Sequence, residues 1–317
     1  MKTVSIIGAG QLGSRHLQGL KAAQSELDIW VMDANSESLK VSKERYDAVP
    51  SDTPKTVHFV ENIDALPSAL DLVIIATGSK PRAAIVKALL THAKVTYLVL
   101  EKFLFPNMKE YDEVAHLLEE KKVKSWVNCP RRMWESYKAI KQIIKPEYPV
   151  LFQKNGKDWG ICCNSVHFID VWMYLAGDSS FSVDLQGMEK QVIESKRNGY
   201  IELLGKERFC SSKGDEMLLG SFAEYDGDAR VFIKNGGNEI IINESTGVWT
   251  LNGEEHEDKT PYQSGLTGKL ADALITSNIC ELTPYLQSAE YHKPYLKAVT
   301  EFVNRIQGKN SDSCPIT

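Results

Sequence analysis

"SIIGAGQLGSRHLQGL", residues 5–20, sets three glycines, Gly8, Gly10 and Gly13, directly behind an apolar run. A strand that enters a helix through G-x-G-x-x-G brings backbone N–H groups to a phosphate. Gly8 permits the tight turn, Gly10 lacks the Cβ that would hold a pyrophosphate away, and Gly13 lets helix and strand pack closely. Gln11 and Leu12 lie inside the loop and complete its expected cofactor contacts. Asp33 ends the second apolar run, twenty positions after Gly13. A carboxylate there accepts hydrogen bonds from ribose hydroxyls and repels a 2′-phosphate, which favours NAD. Arg15 could lend charge to that phosphate and keeps NADP open.

Outward from this loop, apolar strands alternate with helices up to about residue 127. The strands are "TVSIIGAG", "LDIWVMDA", the short one in "VHFVENIDAL", "DLVIIATGS", "TYLVLEKF" and "KSWVNC". Between them "SESLKVSKERY" reads as a helix opened by a Ser cap, and "PRAAIVKALLTHA" as a helix with Pro81 at its start. This pattern predicts an α/β fold with a parallel, doubly wound sheet covered on both faces. The character then changes. "GICCNSVHFIDVWMYLAG" reads as one helix closed by Gly177, and from about 180 to 256 strands follow one another with turn signals at "YDGD", "KNGGN" and "LNGEE". The expectation is a Rossmann dinucleotide-binding domain over 1–127 and an α/β domain with a mostly antiparallel sheet over 128–317. The tail "KNSDSCPIT" reads as frayed.

The 317 residues carry a formal net charge of −5, with 43% hydrophobic and 25% charged side chains. This mild acidity leaves no footprint for nucleic acid. No apolar run approaches the ~20 residues of a membrane span, and the first residues lack the pattern of a signal peptide, so a cytoplasmic location is expected. The six cysteines include no C-x-x-C pair and no histidine at ligand spacing, so neither a metal site nor a disulfide framework is expected.

Four further stretches carry chemistry. "ATGSKPR" lies at a strand's carboxyl end, where such sheets bind ligands, and places Ala76 and Thr77 along the dinucleotide. "LVLEKFLF" brings Glu101 and Lys102 to the same edge. A desolvated amine loses basicity and can exchange a proton near neutral pH. In "CCNSVHFID", helical spacing puts Cys163, Asn164, His167 and Asp170 on one face, either as a structural polar cluster or as a substrate site with His167 as proton donor or acceptor. "NCPRRMWESY" supplies Asn128, Arg131 and Arg132, for an anionic or hydroxyl-rich substrate or for interdomain salt bridges. Trp134, Trp172 and His292 read as packing residues, His292 with the surface as its alternative.

Taken together, "GAGQLGSRHLQGL", "VIIATGSKPR", "LEKF", "VNCPRR" and "NSVHFIDVWMYLAG" resemble the Gfo/Idh/MocA family of NAD(P)-dependent oxidoreductases. The resemblance implies an N-terminal Rossmann domain and an open-faced C-terminal sheet that often mediates homodimer or homotetramer contacts. It implies hydride transfer between a nicotinamide and a carbinol or keto carbon of a sugar, cyclitol or nucleotide sugar. The family's E-K-P lysine falls on Lys102 and its helix histidine on His167. Three positions depart from the pattern: Phe103 stands for the proline, Arg82 for the histidine that often ends the "AT" motif, and Cys163 for the carboxylate one turn before the helix histidine. The last departure motivates alternatives: a non-catalytic NAD-binding sensor or partner subunit, or an enzyme using NAD without net redox change, for elimination or glycoside cleavage.

Overall fold

The computed structural model describes residues 1–50, 53–177, 180–195 and 197–317. In chain order the first elements are β1 (Lys2–Ile7), α1 (Gln11–Leu20), β2 (Leu27–Met32), α2 (Ser36–Asp47), β3 (Lys55–Val60), β4 (Ala69–Ile75), α3 (Ser79–His92), β5 (Lys94–Glu101), α4 (Met108–Glu120) and β6 (Lys124–Asn128). There follow α5 (Glu135–Ile143), β7 (Val150–Lys157), α6 (Ile161–Ala176), β8 (Phe181–Glu194), β9 (Ile201–Ser211) and β10 (Glu216–Phe222). The chain continues with β11 (Val231–Asn235), β12 (Asn238–Ile242), β13 (Val248–Leu251), β14 (Glu254–Glu257), α7 (Gln263–Asp272), β15 (Thr283–Pro284) and α8 (Tyr285–Gln307).

Two compact units result. The first comprises residues 1–105, 109–128 and 261–285; the second comprises 106–108, 129–260 and 286–317. This differs from a single cut at 127/128, because α7 and β15 return to the first unit. The reason is a pair of glycines. A Cβ on Gly19 of α1 would lie 2.8 Å from Thr267 Cβ, and one on Gly268 of α7 would lie 2.6 Å from the Gly19 carbonyl oxygen. Without side chains there, the α1 and α7 backbones approach closely.

The first unit is built on a seven-stranded sheet in the order β15-β6-β5-β4-β1-β2-β3, parallel except for the antiparallel edge strand β15. Its central strands are fully buried: Val4, Ile6 and Ile7 of β1, Leu72 to Ile75 of β4, and Leu98 to Leu100 of β5. Burial on both faces explains why these runs are continuous rather than alternating. The cap of α2 is Asn35, whose side chain accepts from the Glu37 and Ser38 amides, not the expected serine.

The second unit holds an eight-stranded sheet in the order β14-β13-β12-β11-β7-β10-β9-β8. It is mostly antiparallel, as expected, with one parallel pair, β7 and β10. "KNGGN" and "LNGEE" do form hairpins, joining β11 to β12 and β13 to β14. "YDGD" does not, because β7 inserts between β10 and β11 and takes both as neighbours. Helix α6 packs on one sheet face through Phe168 and Trp172, and ends at Gly177 in the left-handed conformation. His292 is buried. The tail is ordered against its own unit rather than frayed: Cys314 and Ile316 are fully buried, the Cys314 amide donates to the Pro106 carbonyl, and Pro315 accepts from the Ile201 amide.

Beneath the start of α6 lies a buried carboxyl, Glu207 of β9. The alternation of β9 turns Leu203, Glu207 and Phe209 inward. Tyr295 of α8 donates to Glu207 Oε1 at 2.6 Å, and Ser165 Oγ lies against Oε2. The Ser165 hydroxyl has one proton and also contacts the Ile161 carbonyl oxygen at 2.7 Å. Burial pushes this carboxyl up from its usual 4.5 to about 7, with the Glu202 charge adding to the rise and the Ser165 and Tyr295 hydrogen bonds opposing it.

In the unfolded chain Glu207 ionises near its ordinary value; in the folded unit it keeps its proton to about pH 7. Between those two values the folded state holds the extra proton, so stability falls as pH rises across the window and levels off above it. The span corresponds to about 3 kcal/mol at most. Glu207→Gln, which stays neutral, is expected to flatten this slope in urea unfolding of the second unit measured from pH 5 to pH 8. An unchanged slope would show that the carboxyl is ionised throughout.

Candidate functional site

The glycine loop joins β1 to α1 as its spacing predicts. Gly8 takes φ +96°, in the region that favours glycine, and a Cβ there would lie 2.9 Å from both Thr77 N and Thr77 Cγ2. A Cβ on Gly13 would lie 1.7 Å from the Gly8 carbonyl oxygen, so the loop and its helix close only without one. Gly10 is different: a Cβ there meets nothing within 4 Å. It occupies the N-cap of α1, and no side chain caps that end. Open space beside an uncapped helix N-terminus is a cradle for an anionic diphosphate. Gln11 and Leu12 form the first residues of α1 on this loop.

The neighbouring loops converge on the same place. Asp33 follows β2 and accepts from the Ala9 amide at 2.7 Å through Oδ2 and from the Asn35 amide at 2.9 Å through Oδ1. Ala76 and Thr77 follow β4 and pack against Gly8 and Gly13. Thr77 Oγ1 is buried with no hydrogen-bond partner among the described residues. Arg15 is engaged with Gln18 on its own helix, and Arg45 with Ser14.

At the end of β5, Glu101 and Lys102 are both buried. Glu101 anchors a network that the sequence reading missed. His16 of α1 is fully buried, with Nε2 2.9 Å from Glu101 Oε1 and Nδ1 2.9 Å from Thr267 Oγ1 of α7. Asn128, at the end of β6, donates through Nδ2 to Glu101 Oε1 at 2.5 Å and to Gln263 Oε1 at 2.9 Å. Burial by itself would raise the Glu101 carboxyl; the hydrogen bond and charge of His16, the Asn128 amide and the Arg82 charge outweigh it and hold the carboxyl below its usual value. His16 occupies a helical position among apolar residues, and its partner is 85 positions away, so local pattern reads it as core. Both hydrogens of the Asn128 amide are committed within the first unit, to Glu101 and Gln263.

In the second unit Arg131, Arg132, Asn164 and Asp170 all have partners within that unit. Arg131 Nε and Nη2 reach Glu244 Oε1 at 2.7 Å and Oε2 at 3.1 Å, Tyr137 donates to the same carboxylate, and the guanidinium lies over the Phe168 ring. Arg132 pairs with the buried Asp170 at 3.1 Å and covers the Tyr174 ring. These are ion pairs inside one unit, where the sequence reading weighed substrate binding against interdomain bridging. Asn164 donates to the Trp159 and Gly160 carbonyls and secures the turn into α6. His167 lies on α6 one turn beyond Cys163, as the spacing predicts. A carboxylate does serve this helix end, from the sheet rather than from position 163: Glu202 of β9 accepts from the Cys162 and Cys163 amides at 3.1 and 3.0 Å. The only signal for Glu202 in the sequence is an acid in a strand, and nothing local ties it to α6.

With this geometry, residues 2–129 match the family model described as an oxidoreductase family with an NAD-binding Rossmann fold, GFO_IDH_MocA. That match covers the first unit's sheet up to the end of β6, and beyond it the family likeness rests on fold. No curated protein matches the chain by sequence. Solved structures match over nearly its whole length. The UDP-N-acetylglucosamine 3-dehydrogenase GnnA from Acidithiobacillus ferrooxidans is 13% identical with a TM-score of 0.74, covering 96% of this chain and 99% of that one. An oxidoreductase from Agrobacterium radiobacter in complex with NAD+, L-tartaric acid and magnesium is 14% identical with a TM-score of 0.70, covering 95% and 96%. At such identities the likeness is one of fold. Among the described residues no group of His, Cys, Asp or Glu could hold a metal ion, and no helix is long and apolar enough to cross a membrane.

The two inner glycines make opposite predictions. Gly10→Val fills open space, so NAD affinity measured by calorimetry should fall by roughly tenfold or more while the melting temperature of the cofactor-free protein holds. Gly13→Ala drives a methyl into the Gly8 carbonyl and should lower the melting temperature with or without NAD. His16→Leu leaves Glu101 without its buried partner and should destabilise the first unit by about 3–5 kcal/mol in urea unfolding.

Proposed function

We propose that the chain is an NAD-dependent dehydrogenase or reductase acting on a carbinol or keto carbon of a sugar, cyclitol or nucleotide sugar. The observation that carries this reading is the cradle at Gly10: open space at an uncapped helix N-terminus, with Asp33 on one side and Thr77 on the other. Asp33 favours NAD over NADP, since its carboxylate opposes a 2′-phosphate. Arg15 and Arg45 already have partners, which weakens the case for NADP. The nicotinamide, when bound, supplies the hydride acceptor or donor; the protein supplies position and proton flow. Lys102, at the carboxyl end of β5, takes the proton from the substrate hydroxyl in oxidation and returns it in reduction. His167 is proposed as the second proton-handling group. The ion pairs of Arg131 and Arg132 shape the second unit, and substrate contacts by Arg131, Arg132, Asn164, Asp170 and Asn128 are assigned through whichever of their atoms those pairs leave available.

A cytoplasmic homo-oligomer accompanies this reading. The sheet face opposite α6 exposes Leu151 and Leu218, 41% and 38% accessible, on adjacent strands β7 and β10. A second copy of the chain covering that face would bury both.

The test is NADH formation from NAD with UDP-N-acetylglucosamine and myo-inositol as first substrates. Lys102→Ala and His167→Ala should each lower turnover by about 10²–10⁴ while NAD still binds. NAD binding without turnover on any sugar would favour a sensor or partner subunit. Product formation without NADH release would favour transient use of the cofactor.

A further inference from the structure

Two side chains that depart from the family pattern turn out to make one device. Phe103 takes φ +51°, a left-handed conformation that costs a side-chain-bearing residue about 1–2 kcal/mol. It is nonetheless buried, at 1% accessibility. The left-handed turn folds the chain back immediately after Lys102, and three successive carbonyl oxygens converge on one side. Arg82, in the first turns of α3, fills that concavity. Its Nη1 contacts the carbonyl oxygens of Lys102 at 3.3 Å, Phe103 at 3.3 Å and Leu104 at 2.8 Å, and its Nη2 donates to the Thr77 carbonyl. Arg82 is itself buried, at 1% accessibility, and its charge is one of those that hold Glu101 ionised.

A buried guanidinium spent on four backbone carbonyls is an expensive way to tie two loops, and the loops it ties are those that follow β4 and β5. A proline at 103 could not take part, because its ring holds φ near −65° and the carbonyls would not converge. Arg82 and Phe103 therefore depend on each other: the turn creates the acceptor cluster, and the guanidinium stabilises the turn.

We propose that Arg82 is a positioning residue for Lys102, clamping the backbone that carries the amine to the Thr77 loop of the cofactor cradle. This inference rests on the reading of Lys102 as the proton-transfer group. The planar fork matters as well as the charge. An ammonium at position 82 could reach the 102–104 carbonyls or the Thr77 carbonyl, but it lacks the second nitrogen that spans both.

The test reads the Lys102 amine directly and needs no substrate. Wild type, Arg82→Gln and Arg82→Lys, each saturated with NAD, are pulsed with acetic anhydride. Acetylation of Lys102 is measured by mass spectrometry relative to the exposed Lys109, and melting temperatures are recorded alongside. Loss of the clamp should raise the Lys102/Lys109 ratio roughly tenfold in Arg82→Gln, the change expected when hydrogen bonds to a charged group no longer oppose local opening. Arg82→Lys should fall between Gln and wild type, with its melting temperature close to wild type. The proposal is overturned if the ratio in both variants stays at the wild-type value. It is equally overturned if every lysine becomes more reactive in parallel with a falling melting temperature, since Arg82 would then hold the unit together without selecting Lys102. Full turnover in Lys102→Ala would instead sink the catalytic reading and leave the labelling result standing, so the two failures are separable.

Discussion

The contact between His16 and Glu101 is the constraint on which the first unit depends. It is a buried pair, so neither partner can be left alone without an uncompensated polar or charged group in a dry interior. Satisfying it brings together α1, the helix that opens on the glycine loop, and β5, the strand that ends at Lys102. Thr267 and Gln263 extend the network to α7, and Asn128 extends it to β6. The cradle for a diphosphate and the proposed proton-transfer group are thereby set at fixed positions on one sheet edge.

A second layer works through backbone rather than side chains. The Gly8–Gly13 contact closes the loop so tightly that no Cβ fits, whereas Gly10 leaves its flank open. The Phe103 turn and Arg82 do the same service at the end of β5, using a positive φ and a guanidinium where a simpler loop would use neither. Polar groups that the sequence leaves open between substrate contact and structural pairing, above all Arg131 and Asp170, find partners inside the second unit. Buried ions are seldom left unpaired, so a charged motif in a sequence is as often half of an ion pair as a ligand site.

How much of this was legible follows from range. The doubly wound sheet could be read because its strands are continuous apolar runs and its helices repeat locally. The glycine loop was legible because spacing along the chain is its signal. The left-handed helix end at Gly177 and the hairpins at "KNGGN" and "LNGEE" were likewise local. "YDGD" misled because a turn signal reports a reversal of direction and not which strand fills the neighbouring place in the sheet. The tail misled because its short, polar look concealed Cys314 and Ile316, which bury against distant parts of their unit.

The amino-acid sequence by itself determined the elements, their order, and the residue types available at each strand end, because propensity, periodicity and turn chemistry act over a few residues. Only the tertiary structure decided which of those residues share a site. His16 meets Glu101, α7 rejoins the first unit across the Gly19–Gly268 notch, Glu202 serves the start of α6, and Arg82 finds three carbonyls beyond β5. The first three pair elements separated by others in the chain and the last joins two consecutive elements, and no local pattern encodes the burial and close approach that make such pairings favourable.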